Sequence, residues 1–359
     1  MKALIAMSGG VDSSAAASLM IERGFECIGM TMELGQDLGS GGEDMPNGMP
    51  DEVLEAKKAS ERLGIPHYVF DFRDIFRQYV VDPFVSNYKN GMTPNPCVQC
   101  NKHIKFGEVF TKANELGCDV IATGHYARVE FDEKTGKYLL KKALDLSKDQ
   151  SYVLFNLTQK ELSRTVFPLG EMTKAQARAL AAEHGLENAN RQESQDICFV
   201  PDGDYAGFIE SYTGTVCPPG DFTDKSGKVL GRHKGIIRYT IGQHRKLGAD
   251  LPGKMYVCRL CPEKNTVILG NQEDLWSKEV LAGSFNWILG LPERPVRCKA
   301  KVRYRQSEQW ATAEAISDTE ARILFDEPQR AITPGQSVVL YDGDIVLGGG
   351  IIKSPNSSI

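Results

Sequence analysis

Residues 8–14 read SGGVDSS, set between the apolar run KALIAM (2–7) and an Ala-rich stretch, Val11–Arg23, that Gly24 closes. Few arrangements satisfy that order. Two adjacent glycines permit a tight turn, the run before them reads as a strand, and the Ala-rich stretch behind them as a helix. A strand–turn–helix of this kind points backbone N–H groups and the positive end of a helix at whatever lies above the turn, which suits an anion. Ser8 and Ser13 add hydroxyls, and Asp12 can hold the magnesium ion that accompanies a nucleotide. A turn that merely needs small residues is the alternative; Asp and Ser at these offsets favour nucleotide binding. The GxxxxGK[ST] pattern that moves a γ-phosphate is not present.

The alternation continues. ECIGMTM (26–32) and HYVFDF (67–72) read as strands, and DEVLEAKKASERLG (51–64) as a helix stopped by Gly64. Ile104–Leu116 reads as a helix, DVIATGH (119–125) as a buried strand, and TKAQARALAAEHG (173–185) as a helix. EFDEKTGKYLL suggests a hairpin about Thr135–Gly136, and Gly35–Pro50 a loop. Beyond about residue 205 the strands shorten and Gly and Pro become frequent. The expected fold is α/β: a Rossmann-like parallel-sheet domain over 1–204, a small central domain over 205–280 and a C-terminal antiparallel β-barrel over 281–359. A ligand of the first domain belongs at the carboxyl ends of its strands, where SGG and TGH both fall.

Hydrophobic residues make up 41% and charged residues 25%, ordinary for a globular chain, and no apolar run is long enough to span a bilayer. MKALIAMSGG shows no cleavage region, so a cytoplasmic location is expected, without a membrane partner. In such a compartment nine cysteines suggest thiols, metal ligands or catalytic groups before a disulfide framework. The net charge of −5 argues against nucleic acid, yet Lys228–Lys246 and Arg294–Arg305 each carry six cations and no acid. In RPVRCKAKVRYR the cations from Arg297 to Arg305 recur at every second position, predicting one basic strand face that tracks phosphates. Trp276, Trp287 and Trp310 read as core, and His67, His184 and His233 as surface or loop residues. Cys258 and Cys261 lie in strand-like surroundings, where residues three apart face opposite ways.

TPNPCVQCNKHIKF (93–106) places Cys97 and Cys100 beside Lys102, His103 and Lys105. Cations of this kind lower a thiol's pKa on a loop that substrate can reach. Cys198, in DICFV (196–200), reads equally well as a small buried hydrophobe and as a partner brought to the cleft by folding.

SGGxDS is the signature of the ATP pyrophosphatases with a PP-loop, which adenylate a carbonyl or carboxyl oxygen and release pyrophosphate. With TPNPCVQCNKHIKF, GHYAR (124–128), SKDQSYVLF (147–155), DICFV, RYRQ (303–306) and TPGQ (333–336) in that order, the chain resembles the tRNA-specific 2-thiouridylases along nearly its whole length. The resemblance implies ATP-dependent replacement of O2 of the wobble uridine, position 34, by sulfur. It implies that Ala6, Met7, Ser8, Gly9, Gly10, Val11, Asp12, Ser13, Met32 and Gly124 surround ATP. It implies Cys100 as nucleophile, Cys198 as persulfide carrier, and a disulfide between them after turnover. Asn95, Pro96 and Cys97 are implied at the target base, and His125, Lys148, Asp149, Gln150, Arg303, Tyr304 and Gln336 on tRNA, whose anticodon arm is the partner. Sulfur is implied to come from a cysteine desulfurase or a sulfur-carrier protein. Many relatives carry Asp where this chain has Cys97, so a second reading stays open: Cys97, Cys100 and Cys198 ligating a [4Fe-4S] cluster that carries the sulfur. More distant readings are a PP-loop amide ligase or amidotransferase, and an RNA-binding protein without catalysis.

Overall fold

The short apolar runs of the first 170 residues pair as strands. They are β1 (Lys2–Ala6), β2 (Glu26–Glu33), β3 (His67–Asp71), β4 (Val120–Thr123), the hairpin β5 (Ala127–Asp132) and β6 (Lys137–Lys142), and β7 (Thr165–Val166). Of these, β1, β2 and β4 are buried on both faces, whereas β3 at the sheet edge and the β5–β6 hairpin are largely half-buried or exposed. A computed structural model describes residues 1–35, 50–186, 197–248, 251 and 253–354. The loop expected over Gly35–Pro50 lies, apart from its ends, outside the described residues. The chain divides into two units, one of Met1–Val80, Cys97–Phe199 and Asp342–Gly348, the other of Val81–Pro96, Val200–Tyr341 and Gly349–Ile359.

In the first unit a parallel sheet runs in the order β3-β2-β1-β4-β7. Ile5 faces Gly29 on one side and Ala122 on the other, and every residue of β4 is buried. The α-helices among the described residues are α1 (Val11–Glu22), α2 (Asp51–Leu63), α3 (Arg73–Phe76), α4 (Asp82–Lys89), α5 (Pro96–Cys100), α6 (Val109–Glu115), α7 (Gln159–Leu162), α8 (Lys174–Glu183) and α9 (Tyr205–Thr213). α1 is buried over most of its circumference, including Ser13, Ser14, Ala15, Ala16, Ala17 and Ser18. Small side chains there let it lie close to the sheet and to α8 at once. Ile5, Met7, Met20, Ala122 and Leu169 share this core; each fully buried Ile, Leu or Met contributes roughly 2 kcal/mol. Gly64 ends α2 in the left-handed conformation, and Gly136 turns the β5–β6 hairpin with φ of 66°. Both are where the sequence puts them.

In the second unit, β8 (Gly220–Thr223), β9 (Val229–His233), β10 (Tyr256–Cys261) and β11 (Thr266–Gly270) form a sheet in the order β10-β11-β8-β9. Six further strands follow along the chain, the stretch Asp342–Gly348 being counted with the first unit: β12 (Trp276–Trp287), β13 (Val296–Lys301), β14 (Gln309–Ser317), β15 (Glu320–Arg330), β16 (Ser337–Asp342) and β17 (Ile345–Ile352). Their order β12-β15-β14-β13-β16-β17, with β12 also paired to β17, closes the expected antiparallel barrel.

Some readings fail here. The basic strand ends at Lys301, so Arg303, Tyr304 and Arg305 lie in a turn rather than on its face. Arg297 is tied to Asp326, and both Arg297 and Lys299 sit over the Trp310 ring, at 4.9 and 5.3 Å. Trp276 and Trp310 are about half exposed, not core, whereas His233 is buried.

Candidate active site

The turn after β1 is held by its own serines. Ser13 Oγ donates to Gly10 O at 2.9 Å and accepts from the Ser8 N–H at 3.1 Å. Gly9 has φ of 70°, and a Cβ there would meet Glu52 O at 2.5 Å, so both conformation and the closeness of α2 require glycine. Gly10 starts α1 with no side-chain cap on the helix N–H groups. Ser8 is exposed and Gly10 and Asp12 half-buried, whereas Ala6, Met7, Val11 and Ser13 are buried, so the first three carry the accessible face. Met32 is half-buried at the carboxyl end of β2. Gly124, just past β4, lies against the turn: a Cβ there would come 2.8 Å from Ser13 N and 2.9 Å from the Asp12 carbonyl carbon. The residues expected around a nucleotide are thus drawn together, and the closeness of the backbones explains both glycines.

The Asp12 carboxylate is already engaged. Lys174 Nζ, on the first residue of α8, donates to Oδ1 at 2.7 Å and to Oδ2 at 2.8 Å, and the Tyr126 hydroxyl donates to Oδ1 at 2.8 Å. Neither Lys174 nor Tyr126 was marked out for this role by the sequence. A lysine buried to 8% exposure has no signature in a single chain, and its spacing from Asp12 is unrelated to any local period.

Cys97 and Cys100 stand on a helix, not on a loop. Pro96 opens α5, and a π-helical segment, Asn101–Glu108, joins it to α6. Cys198 lies in a turn whose next residue, Phe199, is buried edge-on against Phe76 at 5.6 Å. Cys198 is close enough to Cys100 and Cys97 for their charges to act on it.

The electrostatics of these thiols differ from the expectation. Solvent reaches all three, yet the concave surroundings make desolvation dominant. Burial pushes Cys97 and Cys100 up, and pushes Cys198 up to about 12, with the charges of Cys100 and Cys97 adding to it. The cation that opposes this is Lys105, which acts on all three sulfurs. Lys105 is half-buried and has no hydrogen-bond or ion-pair acceptor among the described residues. Lys102 is exposed and bears on His103 instead, whose ring stacks on Tyr79 at 4.5 Å. Among the described residues no three His, Cys, Asp or Glu side chains are arranged to hold a metal ion, the cysteine trio included.

His125 is buried between Phe106 and Phe167, with Nδ1 2.8 Å from Thr123 Oγ1, and burial and Lys105 hold its pKa well below the usual 6.5. It is a neutral ring. Asp149 accepts from the N–H groups of Ala143 and Ser151, and Gln150 Oε1 accepts from the Tyr126 N–H while its own N–H donates to Tyr126 O. These two side chains shape the loop that follows half-buried Lys148.

In the second unit, Arg303 Nη2 donates to Ala331 O at 2.7 Å and to Thr333 Oγ1 at 2.9 Å. Gln336 Nε2 donates to Thr93 O at 2.8 Å, two residues before Asn95 and three before Pro96. Tyr304 is 39% exposed, so its ring can meet a partner.

Three family models match along the chain: a tRNA methyl transferase HUP domain over 1–202, a tRNA methyl transferase PRC-barrel domain over 206–271 and an aminomethyltransferase β-barrel domain over 277–352. The chain is 46% identical over 355 residues to the tRNA-specific 2-thiouridylase MnmA of Clostridioides difficile, with 98% of each chain covered. It is 47% identical over 355 residues to the protein of that name from Acetivibrio thermocellus, covering 98% of this chain and 99% of that one. It is 48% identical to MnmA 1 of Caldanaerobacter subterraneus subsp. tengcongensis, again over 98% of both. No described helix is long and apolar enough to cross a membrane. With a family model over more than half of its length and likeness to these relatives from end to end, the chain belongs to the tRNA-specific 2-thiouridylase family.

Proposed function

We propose that this protein uses ATP to convert the wobble uridine, position 34, of tRNA to 2-thiouridine, with sulfur passing through a persulfide on Cys198. The observation that carries the sulfur route is that Cys198 lies within electrostatic range of Cys100, although about half of the first unit's sequence separates them. The uridine O2 attacks the α-phosphorus of ATP and pyrophosphate leaves, making O2 part of a good leaving group. The terminal sulfur of the Cys198 persulfide then attacks C2 and AMP departs. The Cys100 thiolate attacks the Cys198 sulfur end of the remaining S–S bond, which breaks, leaving sulfur on C2 and a Cys100–Cys198 disulfide. A dithiol reductant restores both thiols.

The residues divide the work. Ser8, Gly10, Asp12 and Gly124 border the phosphates, Met32 the nucleoside, and Ala6, Met7, Gly9, Val11 and Ser13 hold the turn. Magnesium enters bound to ATP and screens its charge. Asn95, Pro96 and Cys97 adjoin the flipped base, which must leave its stack to reach the cleft. His125, Lys148, Asp149, Gln150, Arg303, Tyr304 and Gln336 support the surface that takes the anticodon arm. We place the parts at 1–204, 205–280 and 281–359, the protein in the cytoplasm, and a cysteine desulfurase or sulfur carrier upstream of it. No step is routed through a cluster.

The test is mass spectrometry of the protein after sulfur loading, beside 2-thiouridine quantified in tRNA. A sulfur adduct on Cys198, with thiolation abolished in both Cys198→Ser and Cys100→Ser, is expected. Normal thiolation by Cys198→Ser would overturn the persulfide route.

A further inference from the structure

A carboxylate in a turn that receives polyphosphate needs a cation beside it. Asp12 stands in the first turn of α1, among the N–H groups that an anionic ligand would approach. An uncompensated carboxylate there repels phosphate, and more strongly with each added phosphate charge. Lys174 changes this. Its ammonium meets both Asp12 oxygens, at 2.7 and 2.8 Å, while Tyr126 braces Oδ1 from another side. The lysine is itself held from below. Thr173 caps α8 in a reciprocal capping box with Gln176, and the Lys174 N–H donates to Asp145 Oδ2 at 3.3 Å. The cation is therefore delivered to the turn from a fixed helix start.

We propose that Lys174 is a positioning residue for the nucleotide: it holds the Asp12 carboxylate as a neutral pair, so that the glycine turn can accept a polyphosphate. The inference rests on the reading that this turn binds ATP, and deepens it. A lysine that only fastened α8 to α1 would affect every ligand of the turn alike. A lysine that offsets a charge affects ligands in proportion to their phosphates.

Equilibrium dialysis of the intact chain with ATP, AMP and adenosine, in magnesium and without tRNA, separates these roles; thermal unfolding is followed in parallel. Lys174→Met is expected to weaken ATP binding about tenfold, AMP binding less and adenosine binding hardly at all. The double variant Asp12→Asn/Lys174→Met, lacking both charges, is expected to recover ATP binding to within about threefold of the parent. Asp12→Asn alone leaves a free cation beside the turn and is expected to bind ATP more tightly than the parent. Equal losses for ATP and adenosine would overturn the proposal, as would a double variant no better than Lys174→Met or a weakened Asp12→Asn. Should Lys174→Met fail to fold, the double variant decides: ATP affinity near the parent's supports the proposal, and its loss in a folded protein overturns it. A parent that binds no ATP would overturn the proposal together with the reading beneath it, whereas a parent that binds ATP with no variant effect overturns the proposal alone.

Discussion

The cysteine cluster shows how a residue's chemistry depends on what surrounds it. Neighbouring cations in the sequence predict a thiol that ionises readily, but enclosure raises Cys97, Cys100 and Cys198 instead. Such thiols are mostly protonated at neutral pH, and so react slowly. Lys105 is the side chain that moderates this. Replacing it with Met should raise all three thiols further and slow their alkylation by iodoacetamide several-fold at pH 8, while Lys105→Arg should stay near the parent rate. Alkylation followed against pH, residue by residue, measures this. Unchanged rates in Lys105→Met would mean that its charge does not reach the sulfurs.

Elements position these groups through close approach of backbones and through caps. Gly124 lets the end of β4 lie against the start of α1, and the atoms that an added methyl would strike are backbone atoms, which cannot swing aside. Gly124→Ala should therefore destabilise the protein by about 1–3 kcal/mol and weaken ATP binding, seen in denaturant unfolding and dialysis. The start of α8 depends on Thr173 and Gln176, which cap each other's backbone N–H groups. Thr173→Ala should cost about 1 kcal/mol in unfolding free energy and, because Lys174 is the next residue, should weaken ATP binding modestly as well. The glycines and the cap are visible in the sequence as turn and helix signals. The function of Gly124 beside Asp12 is not, because it arises from two segments separated by more than a hundred residues.

For the molecule as a whole, histidines that the fold encloses in part or in full contribute to the response to acid. His67, His125 and His233 all have folded-state pKa values below the usual 6.5, burial being the largest cause in each. Unfolded chains then bind protons that the folded protein refuses, so stability falls as pH drops below about 6.5 and levels off below the folded-state values. The urea midpoint should accordingly be lower at pH 5.5 than at pH 7.5, and His125→Gln should reduce that difference; a midpoint independent of pH over this range would contradict it.

Local order was legible throughout: the strand–turn–helix at SGGVDSS, the Gly64 stop, the Gly136 hairpin and the strand-rich end of the chain. Each depends on forces that act over a few residues, namely backbone freedom at glycine, capping and the period of apolar side chains. The sequence by itself also determined the gathering of motifs that mark the family. Only the tertiary structure decided that Lys174 meets Asp12, that Lys105 rather than Lys102 or His103 serves the thiols, that Arg303 turns to backbone carbonyls, and that Trp310 lies outside under two cations. Those outcomes depend on desolvation and on charge at short range, and both are fixed by which distant segments the fold packs together.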